Sequence, residues 1–337
     1  MGKKRSRKRQ YLQFYPAEKL GIIRYSAGVR RIVPWVRQRK NHEGGRVQMI
    51  ISVASGKGGT GKTTVAVNLA LSLRNVQLLD CDVEEPNAHL FLKPEIHTRK
   101  VSTILIPQVD ESRCDYCGKC REVCAYNAIA VFPGDENRKG SGVLIFPNLC
   151  HGCGGCTLLC PQKAIREVEK EIGVIEAGTC GDMQFVHGKL HIGEIMSPPL
   201  IRQVKQYIYK SRTVIIDSPP GTSCPVIGSV KGSDFCILVT EPTPFGLHDL
   251  VLAVEVLEKM KIPFGVVINR SDIGDGGVEN FCTSRHIPVL MQIPFDQEIA
   301  FLYSNGVPFV TEKKEYLPRF ADMFADIIAS LNGNHTK

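Results

Sequence analysis

Long apolar runs and aromatic side chains are scarce in this chain. No apolar stretch reaches the roughly 18 residues that a membrane-spanning helix needs, only 7% of the residues are aromatic, and Trp35 is the only tryptophan. The basic first residues are not followed by the apolar core of a secretion signal. These absences argue against a membrane-spanning or secreted protein. At 337 residues and 43% hydrophobic content, the chain is long enough to bury an α/β core and a small second domain.

Acidic residues are almost missing from the first 46 positions. Residues 1–46 carry 14 Lys or Arg against two acids, Glu18 and Glu43, whereas the whole chain has a net charge of +8. The basic excess therefore lies entirely in this extension, because the remaining residues sum to −4. One hypothesis is an arm that binds nucleic acid or an anionic membrane. The alternative, which we favour, is a disordered basic extension or a translation start at Met49.

Thirteen cysteines without a secretion signal are typical of metal binding in a reducing cytoplasm rather than of disulfides. Eight of them form two copies of the spacing C-x2-C-x2-C-x3-C. In two-cluster ferredoxins, the first three cysteines of such a run hold one cube and the fourth reaches the other. This arrangement predicts two [4Fe-4S] clusters on two crossed sets: Cys114, Cys117, Cys120 and Cys160, and Cys150, Cys153, Cys156 and Cys124. A pair of structural zinc sites is the alternative, but zinc usually takes thiolates as two separated pairs.

A glycine-rich loop follows an apolar segment of strand type at residues 49–54. A helical pattern comes next, and strand, glycine loop and helix are the context expected of a Walker A motif, which binds phosphate through backbone N–H groups. We predict that Lys62 contacts the β and γ phosphates and that the Thr63 hydroxyl binds Mg²⁺. The predicted ATP-binding residues of the loop are Gly56, Gly58, Gly59, Thr60, Gly61, Lys62, Thr63 and Thr64.

Lys57 narrows the class of P-loop protein, because an ordinary P-loop needs no lysine at this position. The run from Lys57 to Thr64, KGGTGKTT, resembles the deviant Walker A motif of the superfamily of MinD, ParA and the nitrogenase iron protein. The resemblance implies a Mg²⁺-dependent ATPase that forms a homodimer, with Lys57 of each subunit reaching the phosphates of the other. The alternative is a solvated loop lysine.

Three aspartates follow apolar segments in the order that this superfamily shows. The resemblance implies that Asp82 positions the attacking water, that Asp80 supports the magnesium shell and that Asp217 holds a magnesium-bound water. It also implies that Asn269 reads the adenine edge and that Pro294 belongs to the loop over the base. The predicted catalytic residues are Lys57, Lys62, Asp82 and Asp217, and the predicted Mg²⁺ residues are Thr63, Asp80 and Asp217.

Short apolar strands alternate with helical segments, which argues for a doubly wound, mainly parallel α/β sheet with the nucleotide at the carboxyl ends of the strands. The cysteine runs fall between Asp82 and Asp217, so they form an insertion. We predict a MinD-like P-loop ATPase domain over residues 47–108 and 169–331, and a small inserted α+β ferredoxin-like domain over residues 109–168.

Two further cysteines are candidates for a different cluster. Cys224 follows Asp217 by seven residues, the interval at which the nitrogenase iron protein carries a cluster cysteine, and Cys180 is flanked by Gly178 and Gly181. One hypothesis is that two subunits each give Cys180 and Cys224 to a cluster that bridges the dimer axis. The alternative, which we favour, is a pair of unligated thiols.

The last part of the chain has apolar residues at helical spacing from Leu317 to Leu331. MinD carries a basic amphipathic membrane helix in this region. Here the polar positions include Asp322 and Asp326, so we predict that the helix packs on the sheet instead.

Three functions are compatible with these motifs. The first is an ATP-gated redox protein in which nucleotide state controls electron transfer through the two clusters, to an unidentified redox partner. The second is an iron–sulfur cluster assembly or carrier ATPase of the Mrp kind, although the exposed C-x-x-C pair expected near its C-terminus is absent. The third is a positional regulator of the ParA or MinD kind with a redox sensor. We rank them in this order, since two complete cysteine runs suit electron transfer.

Overall fold

The computed structural model describes residues 49–135 and 139–333, so the predictions for the basic extension lie outside the described residues. Within this part the chain forms eleven strands. They are β1 (Ile50–Ala54), β2 (Val76–Asp80), β3 (Glu95–Val109), β4 (Ile129–Phe132), β5 (Gly142–Ile145), β6 (Ile165–Cys180), β7 (Met183–Leu190), β8 (Thr213–Asp217), β9 (Phe235–Thr240), β10 (Phe264–Asn269) and β11 (Val289–Ile293).

Nine of these strands form one sheet in the order β11-β10-β9-β1-β8-β2-β7-β6-β3. The seven strands from β11 to β7 are parallel, and β6 and β3 run antiparallel to their neighbours. The central strands are short and almost entirely buried, because β1, β2, β8 and β9 consist mainly of Val, Ile and Leu. The predicted, mainly parallel α/β sheet is therefore confirmed.

Helices cover both faces of the sheet. They are α1 (Lys62–Leu71), α2 (Ala88–Leu92), α3 (Lys119–Val123), α4 (Gly155–Leu159), α5 (Ser197–Val204), α6 (Cys224–Val230), α7 (Pro244–Met260), α8 (Gly277–Ser284), α9 (Gln297–Ser304), α10 (Phe309–Glu312) and α11 (Tyr316–Gly333). Alternation along the strands divides the core: Ile51 and Val53 of β1 pack with α1, α10 and α11, whereas Ala54 packs with α6, α7 and α8.

The last helix, α11, lies on the core of the sheet as predicted. Phe320, Met323 and Ile327 are buried against α1 and neighbouring strands, and Asp322 and Asp326 are exposed on the opposite side. No helix in the described part of the chain is long and apolar enough to cross a bilayer.

A long two-stranded ribbon carries the cysteine-rich segment. β3 and β6 pair antiparallel from Glu95↔Thr179 to Val109↔Ile165, and the 55 residues between Val109 and Ile165 connect their ends. β3 is the edge strand of the sheet, and β6 and β7 separate it from β2. The insertion is thus attached to one edge of the sheet, although its place in the sequence, between Asp82 and Asp217, is in the middle of the nucleotide-binding motifs.

The inserted segment consists of two similar halves that repeat after 36 positions, the interval from Cys114 to Cys150. α3 follows Gly118 and α4 follows Gly154, with φ angles of 77° and 72°. β4 pairs with β5, and the outer ends of β3 and β6 form the equivalent pair. The halves share a small apolar core that includes Ile129 and Ile165.

Candidate functional site

The glycine-rich loop joins β1 to α1 at the carboxyl edge of the sheet. Gly59 and Gly61 have φ angles of 79° and 95°, a region in which only glycine is unstrained. A Cβ atom on Gly61 would lie 2.5 Å from Nδ2 of Asn269, and this amide donates a hydrogen bond to the carbonyl of Thr60 at 2.9 Å. Asn269 therefore holds the loop in position, a role that sequence reasoning did not assign to it.

The loop opens into a cleft of about 370 Å³ at the ends of the parallel strands. Lys62, Thr63, Asp82, Asn269 and Pro294 all line this cleft. The remaining wall includes Gly58, Gly59, Gly61, Thr64, Arg270, Phe295, Tyr303 and Phe309. The arrangement combines a phosphate-binding loop with an apolar and aromatic wall, as a nucleotide requires. Gly56 does not line the cleft, and a Cβ atom at this position would clash with the backbone of Asp249.

Thr63 lines the cleft and is hydrogen-bonded to Asp217, which is fully buried. The Thr63 hydroxyl donates a hydrogen bond of 2.6 Å to Oδ2 of Asp217, while Oδ1 of Asp217 is buried and has no hydrogen-bond partner among the described residues. Burial raises the pKa of Asp217 to about 7, against the smaller opposing effects of the Thr63 hydrogen bond and Lys62. A hydroxyl beside an unpaired buried carboxylate oxygen is a donor set that fits Mg²⁺ and its water ligands.

Asp80 is fully buried and does not line the cleft. Its Oδ1 accepts a hydrogen bond from the backbone N–H of Asp82, and its Oδ2 accepts those of Asn87 and Ala88. Burial and the nearby Asp217 raise the pKa of Asp80 well above its usual range. Both oxygens are engaged by backbone, so Asp80 shapes the loop that presents Asp82.

Asp82 lies in the cleft and is only half-buried. Burial raises its pKa to about 6, while the charge of Lys62 acts in the opposite direction. A carboxyl group that titrates near neutral pH is suited to accept a proton from water or to orient it. The structure thus brings Lys62, Thr63, Asp82 and Asp217 together, as the sequence predicts.

Lys57 does not face the cleft. Its ammonium forms an ion pair of 3.6 Å with Oε2 of Glu241, and Arg270 pairs with Oε1 of the same carboxylate at 2.7 Å. Glu241 is buried, with 11% of its side chain exposed, and Lys57 retains 31% exposure. In this monomer the side chain of Lys57 is held within its own subunit, next to a residue of the cleft wall.

The eight cysteines of the two runs line two separate pockets in the insertion. The first pocket contains Cys114, Cys117, Cys120 and Cys160, and the second contains Cys124, Cys150, Cys153 and Cys156. In each pocket the fourth cysteine of one run lies with the first three of the other. These are the two crossed sets that the spacing predicts. Among the described residues, no group of His, Cys, Asp or Glu side chains is arranged to hold a single metal ion.

Backbone amides support the sulfurs in the same way in both pockets. The N–H groups of Tyr116 and Gly152 donate to Cys114 and Cys150 at 3.4 and 3.5 Å. The N–H groups of Ala128 and Ala164 donate to Cys124 and Cys160, each at 3.3 Å. Such bonds stabilise thiolates, the form in which cysteine binds metal. Burial raises the pKa of the Cys120, Cys150 and Cys156 thiols, so nearby cations of a cluster would be needed to deprotonate them.

The structure does not bring Cys180 and Cys224 together, which corrects the hypothesis of a shared bridging cluster. Cys180 pairs with Met183 at the start of β7, which is the amino edge of the parallel strands, and its thiol donates to the carbonyl of Leu92. Cys224 begins α6 after the loop that follows Asp217, at the carboxyl edge. The five residues of a strand such as β8 separate these edges by about 16 Å.

Comparison with known proteins assigns the family. The model of the CobQ/CobB/MinD/ParA nucleotide-binding domain matches residues 51–309, more than half of the chain. The chain belongs to this family. In this chain the matched residues span the P-loop, the three aspartates, the cysteine-rich insertion and Asn269.

Relatives of this nucleotide-binding family resemble the chain over most of its length. An uncharacterized protein of Methanocaldococcus jannaschii is 32% identical over 77% of this chain and 89% of its own length. A protein of Pyrococcus abyssi named iron-sulfur cluster carrier protein is 25% identical over 85% of this chain and 89% of its own. The solved septum site-determining protein MinD of Pyrococcus horikoshii, complexed with Mg-ADP, has a TM-score of 0.53 at 20% identity and covers 86% of this chain and 100% of its own. At this identity the structural likeness shows the same fold.

Sequence reasoning missed two charged residues at this nucleotide-binding domain's cleft, Glu241 and Arg270. Glu241 immediately follows the fully buried β9, and Arg270 follows β10. The signal was present, because polar residues just after parallel strands lie at the ligand edge of the sheet. The tyrosine and phenylalanine of the cleft wall, Tyr303 and Phe295, carry no comparable signal, since isolated aromatic residues usually pack in the core.

Proposed function

We propose that this protein binds and hydrolyses ATP, carries two [4Fe-4S] clusters in an inserted ferredoxin-like domain over about residues 109–168, and couples its nucleotide state to electron transfer through them. The observation that carries the proposal is the crossed arrangement of the eight cysteines in two pockets. The four thiols at each pocket equal the number of ligands that a [4Fe-4S] cube needs. The backbone amides that donate to these sulfurs would stabilise the negative charge of the thiolates.

The nucleotide half of the proposal is supported by the cleft. Lys62 and the loop amides bind the phosphates, and Asn269 and Pro294, which line the same cleft, contact the base in this proposal. Thr63 and Asp217 would hold Mg²⁺, which would supply positive charge against the phosphates. Asp82 orients the attacking water, since its carboxylate lines the cleft and lies close enough to Lys62 for the lysine charge to act on its pKa.

Homodimer formation completes the site in this proposal. Lys57 is 31% exposed at the carboxyl edge, and within the described part of the chain its ammonium pairs with Glu241. Lys57 could leave Glu241 and contact a phosphate of the ATP bound to a second subunit by moving its flexible side chain alone. The sequence of events is therefore ATP binding, release of Lys57 from Glu241, and closure of the dimer.

A cluster carrier is the second candidate function. It is favoured by the relatives named iron-sulfur cluster carrier protein, of which the one from Pyrococcus abyssi covers 85% of this chain. In a carrier the clusters leave the protein, whereas in an electron-transfer protein they stay and change oxidation state. Each cluster would be bound by four cysteines whose sulfurs accept hydrogen bonds from backbone amides. Such firm binding favours electron transfer over release of the clusters.

Metal analysis of protein purified without oxygen tests the clusters. We expect about eight iron and eight sulfide per chain, with absorbance in the visible range that dithionite bleaches. Cys117→Ser and Cys153→Ser are each expected to damage one cluster and spare the other, and Cys224→Ser, also exposed but outside the runs, is expected to keep both. Two zinc ions per chain without visible absorbance would exclude the proposal.

Incubation with an apo-ferredoxin separates the two candidate functions. For electron transfer, the clusters stay on this protein, are reduced and reoxidised repeatedly, and shift in potential when ADP is exchanged for ATP. Lys62→Ala, which removes the main phosphate charge, abolishes this shift. Loss of iron to the apo-ferredoxin on addition of ATP, together with cluster reduction potentials that are the same with ADP and ATP, would favour the carrier.

A further inference from the structure

The segment between β7 and α5, residues 191–196, is fastened to the loop that presents Asp82. At one end, the N–H of Leu190 donates to the carbonyl of Val83 at 2.8 Å. At the other end, the Ser197 hydroxyl donates to Oε1 of Glu84 at 2.8 Å. Val83 and Glu84 directly follow Asp82, so a movement of the Asp82 loop acts on both ends of the 191–196 segment.

The same segment is fastened to the cysteine-rich insertion through Lys170 of β6. The Lys170 ammonium lies 2.8 and 2.9 Å from the two carboxylate oxygens of Glu194 and 2.8 Å from Oδ1 of Asn148. Only 18% of the Lys170 side chain and 13% of the Glu194 side chain are exposed. Separating them would leave charges poorly solvated, so this pair resists stretching more than a surface pair does.

Asn148 belongs to the turn that leads into the second cysteine set. The N–H of Leu149 donates to the carbonyl of Phe146 at 3.0 Å, and that of Cys150 donates to Pro147 at 3.3 Å. The equivalent position of the first half, 36 residues earlier, is Ser112, which is hydrogen-bonded to Asp110 of its own turn. Of the two equivalent turns, the one before Cys150 is therefore connected to the 191–196 segment through Asn148 and Lys170, whereas Ser112 in the turn before Cys114 bonds within its own turn.

We propose that Lys170 is a positioning residue that transmits the nucleotide state of the Asp82 loop to the second cysteine set. The contacts run from Glu84 through Ser197 and the 191–196 segment to Glu194, Lys170 and Asn148. The inference rests on the proposed function for its consequence: the cluster of Cys124, Cys150, Cys153 and Cys156 responds to ATP more strongly than the other cluster, since displacement of a ligand-bearing turn changes hydrogen bonding to the sulfurs.

Hydrogen–deuterium exchange of the full-length, anaerobically purified protein tests the connection without reference to the clusters. With Mg²⁺ and a non-hydrolysable ATP analogue instead of ADP, we expect about fivefold slower exchange at residues 143–152. Lys170→Met is expected to abolish this difference between nucleotides, and Lys170→Arg to restore it. Arg285→Gln, which breaks the exposed 2.8 Å pair with Glu258, is the matched control and is expected to behave as wild type.

A merely structural role of Lys170 has a different signature: Lys170→Met would then speed exchange equally with both nucleotides and leave their ratio unchanged. That result would overturn the inference. So would a wild-type protein in which residues 143–152 exchange at the same rate with ADP and with the ATP analogue. Redox titration supplies the second readout, in which Lys170→Met is expected to lose the nucleotide-dependent shift of one cluster. Absence of two cubes would refute the proposed function, while the exchange result would still decide the role of Lys170.

Discussion

Breaking the ion pair between Lys57 and Glu241 is expected to promote ATP-dependent dimerisation. In the monomer this pair keeps Lys57 within its own subunit, while the proposed dimer needs the same ammonium at the partner's phosphates. The variant Glu241→Gln keeps the size and polarity of the side chain and removes its charge. The cost of releasing Lys57 then disappears from the dimerisation equilibrium.

The size of the effect follows from the geometry of the pair. At 3.6 Å, with one partner 31% and the other 11% exposed, the pair lies near the upper end of the range for accessible ion pairs, ~0.5–1 kcal/mol. A symmetric dimer breaks two such pairs, so Glu241→Gln should favour it by ~1–2 kcal/mol. This corresponds to a dimer dissociation constant about 5- to 30-fold lower.

Sedimentation velocity at saturating Mg-ATP measures this constant, in an Asp82→Ala background that keeps the nucleotide intact. ATP affinity is measured separately, because Arg270 of the cleft wall also loses its partner in Glu241→Gln. Glu258→Gln, which removes an acid from an exposed pair, is the control. Adding Lys57→Ala to Glu241→Gln should remove the gain.

Unchanged or weaker dimerisation of Glu241→Gln at saturating ATP would refute the reasoning. The same conclusion would follow if the double variant dimerised as well as Glu241→Gln alone. In either case Lys57 would be a loop lysine whose contact with Glu241 stabilises the monomer fold, and the site would lack a residue supplied by a partner.

Two further predictions concern buried or pocket carboxylates. The pKa of Asp217 in the fold, about 7, lies above its usual 3.8, so its contribution to stability is greatest below pH 4 and falls as the pH rises to about 7, by at most ~4 kcal/mol. Asp217→Asn should therefore raise the melting temperature of chelator-treated, nucleotide-free protein more at pH 8 than at pH 5, and parallel melting curves would contradict this. Glu167 lines the second cysteine pocket, where Val131 takes the equivalent place in the first. Glu167→Gln should raise the potential of that cluster alone by up to roughly 60 mV, a tenfold shift, in an EPR-monitored titration, whereas equal shifts of both clusters would rule out a local effect.

Local patterns in the sequence determined most of the nucleotide site. The loop from Ser55 to Thr64 and the apolar strand before Asp217 are contiguous, and their geometry depends on neighbouring residues: glycine for positive φ, and Val, Ile and Leu for buried strands. The spacing within the two cysteine runs likewise predicted which sulfurs meet, because the 36-residue repeat places equivalent cysteines in equivalent turns.

Contacts between distant parts of the chain were decided only by the tertiary structure. Lys57 and Glu241 are 184 positions apart, and nothing near either residue specifies the other. The oxygens of Asp80 are engaged by amides of its own following loop, which an acid after a strand does not reveal. Cys180 and Cys224 were compared by interval alone, and the antiparallel direction of β6 places Cys180 at the far edge of the sheet.

The long ribbon of β3 and β6 shows the physical reason most clearly. Its register from Val109↔Ile165 inward puts Lys170 beside Asn148 and Glu194, and thereby connects the insertion to the Asp82 loop. Sequence specifies which residues favour a strand, since that preference depends on each side chain and its neighbours. Register and strand direction depend on which faces and edges the rest of the protein leaves to be buried, so they arise only when the whole sheet assembles.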